Sequence, residues 1–480
     1  MYRRQFMQRL ALGAAAFGSG LPLAWSDVSK AREAPVDLTI TDRTIEVNGR
    51  PAKVFGLVGP NGKPGLTLNA SDPFDVRLTN NSSEATLVHW HGLTPPWLMD
   101  GVPDNPAPMI AAGGRRRYSF PLRSSGTHWM HAHTLQEQNL LAAPLIIRTE
   151  DDRRADVQDV VLLLHDFSFR APEELLASLK SESNKPHDGM GNMKGMGNMP
   201  AMGGRSRPTS KGQAMDLNDI DYDAYLANDR TLDDPEIVSV EKGGRVRLRI
   251  INGAAATNFM IDTGVLQGRL IAVDGQSVQP VASSGFGVSM GQRLDILLDL
   301  PADGGSFPVL ALREGARERT GIVLATSGAP VVKLDTVGPR NGPVLDLALE
   351  SRLRAFPEPK ALMPTHTFDL TLSGSMSGYT WQIGGAEQLN VKSGERIQMV
   401  MRNMSMMGHP MHLHGHHFQV VAINDKAING ALRDTVYVPP GAKVAIAFSA
   451  DNRGRWPFHC HHLYHMKTGM FSYIRYDEPF

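Results

Sequence analysis

The residues with the most chemistry in this chain stand together near its end, in His459-Cys460-His461-His462-Leu463-Tyr464-His465-Met466-Lys467-Thr468-Gly469-Met470. Cys460 is the only cysteine among 480 residues. A thiolate, a histidine and a more distant methionine make the soft, distorted ligand set that copper uses for electron transfer. Successive side chains of an extended strand point to opposite faces, so Cys460 is expected to face one metal while His459 and His461 face another. The ordinary alternative is a buried free cysteine beside surface histidines. Three further histidine pairs weigh against it: His89-Trp90-His91, His131-Ala132-His133 and, after His409, His412-Leu413-His414. Each puts two imidazoles on one face of a strand. Imidazole suits copper, zinc, iron and nickel alike, so one pair says little about the metal. Four pairs with a Cys, a His and a Met in spacing say much more.

Strands must position these residues. Short, β-branched, alternating segments separated by Gly, Pro, Asn and Asp recur along the whole chain, the texture of sandwiches. The clearest are Val36–Ile40, Phe74–Leu78, Thr86–His91, Pro144–Ile147, Val160–Leu164, Val246–Ile251, Leu294–Leu300, Thr367–Leu372, Ile397–Arg402, Phe418–Ile423 and Val444–Phe448. The economical reading is all-β, with three consecutive β-sandwich domains over residues 35–150, 156–330 and 342–480. Residues 331–341 read as the linker into the last. Pro172–Ser181 predicts one short amphipathic helix. Within 187–203, Met190, Met193, Met196, Met199 and Met202 recur every third residue among Gly, Asn and Pro, a composition that holds neither helix nor core.

Forty-nine basic and forty-nine acidic residues cancel, which favours neither nucleic acid nor an anionic membrane as partner. Residues 1–26 carry Arg3-Arg4 before an apolar stretch broken by Gly18, Gly20 and Pro22. That pattern resembles a twin-arginine export signal rather than a membrane span, so the expected location is the periplasm, without a membrane span.

On these four motifs, in this order and at this length, the chain resembles the three-domain multicopper oxidases, in particular bacterial copper-resistance oxidases and bacterial laccases. The resemblance implies cupredoxin-like Greek-key domains and four copper ions. It implies that His409, Cys460, His465 and the axial Met470 bind a type 1 copper, and that His89 and His412 bind a type 2 copper. His91, His131, His133, His414, His459 and His461 would hold a type 3 pair. The trinuclear cluster would lie between the first and third domains, leaving the second, without a His-x-His pair, as spacer and wall. The resemblance further implies electron transfer from a reductant through Cys460 to dioxygen, which is reduced to water. Asp100, nine residues after His91, stands where related enzymes place an acid near the cluster; the alternative is a surface-loop aspartate. Bacterial relatives carry a glutamate where this chain has Met466, so Glu137 or another acid is needed for a second proton route.

The remaining histidines are assigned lesser roles. His128 and His165 read as packing residues and His366 as incidental. His187 belongs to the methionine segment. His416, His417 and His462 read either as hydrogen-bond partners of ligands or as surface residues.

Thioethers prefer Cu(I), and Met404, Met406 and Met407 precede His409. Met407 matches a methionine that binds substrate copper in copper-exporting relatives, whereas Ser405 replaces their aspartate. With Met190 to Met202 these residues are candidates for substrate copper, against a reading as packing and linker. A cuprous oxidase in copper tolerance, with phenols as lesser substrates, is the favoured expectation. A laccase acting on phenols and aromatic amines is the runner-up, and a periplasmic copper store is the rival from another class. The chain is expected to act as a monomer.

Overall fold

The computed structural model describes residues 34–182, 217–360 and 362–477. The arginine pair, the apolar stretch after it, and Met190, Met193, Met196, Met199 and Met202 with His187 lie outside the described residues. Six sheets among the described residues pack as three antiparallel-rich sandwiches. In the first, the sheet ordered Arg50–Val58, Val36–Val47, Phe74–Asn80, Arg115–Phe120 faces the sheet ordered Leu66–Asn69, Ala142–Arg148, Gly126–Ala132, Val88–His91. Leu38, Phe74 and Val76 from one and Trp90, Met130 and Leu145 from the other share one buried core. The second sandwich pairs a six-stranded sheet, including Gln158–Phe167, Arg245–Asn252 and Arg293–Asp299, with a five-stranded one. The third sets Arg396–Asn403, Lys443–Ser449 and Phe418–Ile423 against a sheet ordered Leu389–Val391, Phe471–Tyr476, Arg455–Cys460, His409–Leu413, Thr435–Val438.

The alternation that predicted the strands is the alternation that builds the cores. Phe74–Asn80 buries Phe74, Val76, Leu78 and Asn80 while the residues between them stay half-buried. Thr86–His91 is shortened to Val88–His91, because Thr86 makes only an isolated bridge to Ile110. The helix expected at Pro172–Ser181 spans Pro172–Glu182. It buries Leu175 and Leu179, one turn apart, against the core of the third sandwich, while Glu173 and Glu174 sit in its first turn, where acids favour a helix start. Among the described residues no helix is long and apolar enough to cross a membrane.

A buried polar knot ties the sandwiches together beside the histidine motifs. The Asp166 carboxylate accepts from Ala255 N (3.0 Å), Ala256 N (2.9 Å), Thr257 Oγ1 (2.8 Å) and Gln138 Nε2 (3.2 Å). Gln138 Oε1 in turn accepts from Tyr222 (2.8 Å) and from Tyr464 of the third sandwich (3.1 Å). Removing a buried acceptor strands its donors, and each stranded group costs on the order of 1–3 kcal/mol. Asp166→Ala is therefore expected to destabilise the protein by roughly 3 kcal/mol and to lower the thermal unfolding midpoint by several degrees. An unchanged midpoint in calorimetry would show that the knot contributes nothing net.

Candidate metal centre

Strand register decides which histidines meet. On the third sandwich Met411 lies opposite Cys460, His412 opposite His459 and Leu413 opposite Phe458. His409 is an even step from Met411 and so shares the face of Cys460. His412 is an odd step away and shares the face of His459. On the first sandwich His89 lies opposite His131 and His91 opposite Trp129, a spacing that brings facing side chains into contact. The residue between the two histidines of each pair turns into a core: Trp90, Ala132, Leu413 and Cys460 are all fully buried. Trp90 packs edge-on against Phe74 and Tyr118, with ring centroids 4.8 and 4.9 Å apart.

The four pairs converge on one buried cluster of eight imidazoles. His89, His91 and His131 form one metal-competent group, His89, His412 and His414 a second, and His133, His414 and His459 a third. His461 closes the cluster, its ring centroid 5.0 Å from His91 and 5.1 Å from His131. His459 Nε2 lies 3.0 Å from His414 Nε2 and 3.2 Å from His133 Nε2. His91 Nδ1 lies 3.4 Å from His131 Nε2. His89 Nε2, His412 Nε2 and both ring nitrogens of His461 are buried without a hydrogen-bond partner. Burial pushes His131, His133, His414, His459 and His461 well below the ordinary imidazole value, so these rings are neutral and carry a free lone pair. Converging neutral nitrogens that lack protein donors fit a cation at their centre, since buried polar groups otherwise demand partners.

On the other face of strand Arg455–Cys460 a second group forms. Cys460 Sγ is 3.7 Å from His409 Nδ1 and 3.8 Å from His465 Nδ1, and the two nitrogens are 3.2 Å apart. The short helix Leu463–Lys467 returns His465 to the cysteine, and the His462 side chain caps its start by accepting the His465 N–H. Met470 is fully buried, held by its N–H to His465 O (2.9 Å) and its carbonyl to Cys460 N (3.0 Å). Two imidazoles and one thiol in a triangle, with a methionine close in the chain, match the trigonal set of blue copper. Burial pushes the Cys460 thiol up, so its thiolate form depends on a cation.

Comparison with known proteins shows the family. Three multicopper oxidase family models match residues 39–152, 158–328 and 356–479. The chain is 31% identical to "Multicopper oxidase MmcO" of Mycobacterium tuberculosis, over 92% of this chain and 87% of that protein. The chain belongs to the multicopper oxidase family. It is also 26% identical to "Copper resistance protein A homolog" of Pseudomonas syringae pv. tomato, over 99% of both chains. The laccase from Botrytis aclada shares its fold, with a TM-score of 0.71 at 21% identity, over 92% of this chain and 87% of that one. As a multicopper oxidase the chain is an oxidoreductase, and the family implies copper as its cofactor and a reductant and dioxygen as its substrates.

Around the ligand candidates of this multicopper oxidase lies a layer of buried acids. Asp100 is fully buried and not a surface-loop residue. Its carboxylate accepts from His414 Nδ1 (2.9 Å) and its carbonyl from His89 Nδ1 (2.9 Å), so it orients rings from two sandwiches. Glu137 accepts from His131 Nδ1 (2.9 Å), and its other oxygen is 3.8 Å from His461 Nδ1. Burial drives its carboxyl well above the ordinary value. Asp219, Asp434 and Arg293 were not legible as site residues. Asp219 Oδ2 accepts from His465 Nε2 (3.2 Å) and from the Tyr379 hydroxyl. Asp434 Oδ1 accepts from His91 Nε2 (3.0 Å). Burial alone would raise the Asp434 carboxyl, but the Arg293 guanidinium beside it outweighs that and holds it well below the usual carboxylate range. Asp219 and Arg293 belong to the part of the chain expected to be spacer and wall. That expectation is corrected: the second sandwich reaches both sites.

The other histidines divide in an informative way. His462 stacks on His465 (3.7 Å, 7°) and His416 bonds to His414 O (3.1 Å) and Tyr476 (2.7 Å), so both are buried partners of site residues rather than surface residues. His417 is half-buried on Gly92 O (3.1 Å). His128 and His165 are buried packing residues and His366 is exposed. Ser405 Oγ lies 2.7 Å from His409 Nε2. Met404 and Met406 are exposed beside it, whereas Met407 is buried.

Titration of the metal-free protein with Cu(II) is expected to produce an intense visible charge-transfer band from the Cys460 sulfur. Cys460→Ser should abolish that band while copper still binds at the histidine cluster. A band that survives the substitution would place the thiolate outside the metal site.

Proposed function

We propose that this multicopper oxidase is an exported cuprous oxidase that protects the periplasm from Cu(I), with phenols as poorer substrates. His409, Cys460, His465 and Met470 would hold a type 1 copper, His89 and His412 a type 2 copper, and His91, His131, His133, His414, His459 and His461 a type 3 pair. With copper bound, the first site would supply one-electron oxidation of the reductant and the histidine cluster four-electron reduction of dioxygen to water.

The observation that carries the oxidase reading is the single strand end shared by both sites. Cys460 faces His409 and His465, its chain neighbours His459 and His461 face the cluster, and His459 Nδ1 donates to Cys460 O at 3.0 Å. A store would need no such junction. Two carboxyls serve the cluster with protons: Asp100 against His414 and His89, and Glu137 against His131. Glu137, from the first sandwich, stands in for the acid that Met466 replaces.

The reductant has no open imidazole edge to touch. His409 and His465 are fully buried, with Nε2 of one on Ser405 and of the other on Asp219. Such capping favours a small ion held by soft ligands over a flat aromatic ring. The exposed thioethers of Met404 and Met406 lie within five residues of His409. The relative named for copper resistance spans 99% of this chain.

Oxygen uptake by the copper-loaded enzyme tests the reading, with Cu(I) and then a phenol as donor. Met404→Ser/Met406→Ser and deletion of residues 187–203 are each expected to raise KM for Cu(I) severalfold and leave phenol oxidation alone. If neither change alters Cu(I) turnover and phenols react faster, the enzyme is a laccase. Glu137→Gln should slow oxygen uptake at least tenfold with either donor, in keeping with the usual effect of a proton-transferring group, while the visible band stays intact.

A further inference from the structure

His91 is set the opposite way round from its neighbours. His89, His131, His412, His414 and His459 each place Nδ1 on an oxygen at 2.8–3.0 Å and turn Nε2 inward. His91 turns Nδ1 inward, toward His131, and places Nε2 3.0 Å from Asp434 Oδ1 and 3.2 Å from Thr435 Oγ1. Asp434 holds a second cluster ring too, since its carbonyl accepts from His412 Nδ1 at 2.8 Å.

Asp434 is itself held from another sandwich. Both of its carboxylate oxygens accept from the Arg293 guanidinium, Oδ1 at 2.7 Å from Nη1 and Oδ2 from Nη2. Arg293 is fully buried and touches all three sandwiches. Its Nε donates to Thr127 O (3.3 Å) in the first and its Nη1 to Gly291 O (2.9 Å) in the second, besides Asp434 in the third. Two glycines leave room here, one for Arg293 and one for a cluster ring. A Cβ at Gly92, the residue after His91, would lie 2.4 Å from Arg293 Nη2. A Cβ at Gly291 would lie 2.7 Å from the His461 ring. A buried ion pair contributes little net stability compared with apolar packing, so stability alone is a weak reason for this arrangement. A carboxylate on the outer nitrogen of a metal-binding imidazole does have a specific effect: it fixes the tautomer and the ring orientation.

We propose that Arg293 is a positioning residue for the histidine cluster: by clamping Asp434 it makes His91 offer Nδ1 to the metal and keeps His412 beside it. This rests on the copper reading above. The sandwich without a histidine pair thereby sets the ligand geometry of a site built by the other two.

Arg293→Gln, Arg293→Lys and Asp434→Asn test it, read by copper content, by the electron paramagnetic resonance spectrum of the type 2 copper and by the visible band of the Cys460 site. Arg293→Gln and Asp434→Asn are expected to keep the visible band, to bind copper at the cluster roughly 10–100-fold more weakly and to shift the type 2 hyperfine splitting. Arg293→Lys, which retains the charge without the fork, should fall between them and the wild type. If Arg293→Gln does not fold, the other two variants decide. Variants that melt earlier yet keep full copper content and the wild-type spectrum would overturn the proposal and leave Arg293 a structural residue. A wild-type protein without cluster copper would instead overturn the copper reading.

Discussion

The structure depends on one step of backbone at the end of strand Arg455–Cys460. An extended chain reverses its side chains at every residue, so His459 and Cys460 open into different pockets with no space between them. The paired strand repeats the reversal in register, with Met411 opposite Cys460 and His412 opposite His459. His409 and His412, three residues apart, must therefore serve different sites. A one-residue slip in this pairing would exchange the faces and destroy both. The cores on either side prevent it, because Leu413 and Phe458 are buried opposite each other where a slipped strand would put imidazole.

Holding eight imidazoles in a buried interior creates a second constraint. Six of the eight rings have their outer nitrogen satisfied, which leaves the inner one to point at the centre. Carbonyls of Asp100, Asp434 and Cys460 and carboxylates of Asp100, Glu137 and Asp434 do this. The acids bring buried charge, which in turn requires cations. Glu350, Arg433, Asp274, Arg293 and Asp434 form an alternating chain of buried ionic groups running from the short helix Ala348–Arg352 to the cluster. Removing one member would leave its neighbours uncompensated, which is far costlier than never having built the chain. The second sandwich, silent in histidine pairs, thus becomes inseparable from the site.

Local patterns carried the fold. Phe418–Ile423 was legible to the residue because its short run of β-branched and other apolar residues ends at the turn residues Asn424 and Asp425. The helix at Pro172 was legible from Leu175 and Leu179 at helical spacing. The strand Thr86–His91 was read too long, since Thr86 has the right side chain but only one bridging partner. Pairing with a neighbour, unlike alternation, is not a local property. His462 and His416 illustrate the same limit. Their neighbours in sequence marked them as near the site, but whether they pointed inward depended on a helix start and on Tyr476, sixty residues away.

What the sequence by itself determined was the set of candidate ligands: His-x-His places two imidazoles on one face of any strand, and the Cys460 triplet divides its side chains between two faces by strand geometry alone. Asp100 and Glu137 were also within reach, because each sits a few residues from a histidine pair. Only the tertiary structure decided which ring nitrogen faces inward, and which groups enforce it. Asp219, Arg293 and Asp434 meet His465 and His91 across 246 positions in the first case and 343 in the last, with Arg293 141 residues from Asp434. No short-range pattern encodes such contacts. They exist because buried imidazoles need partners, and in a packed interior those partners come from whichever chain segment the sandwiches bring alongside.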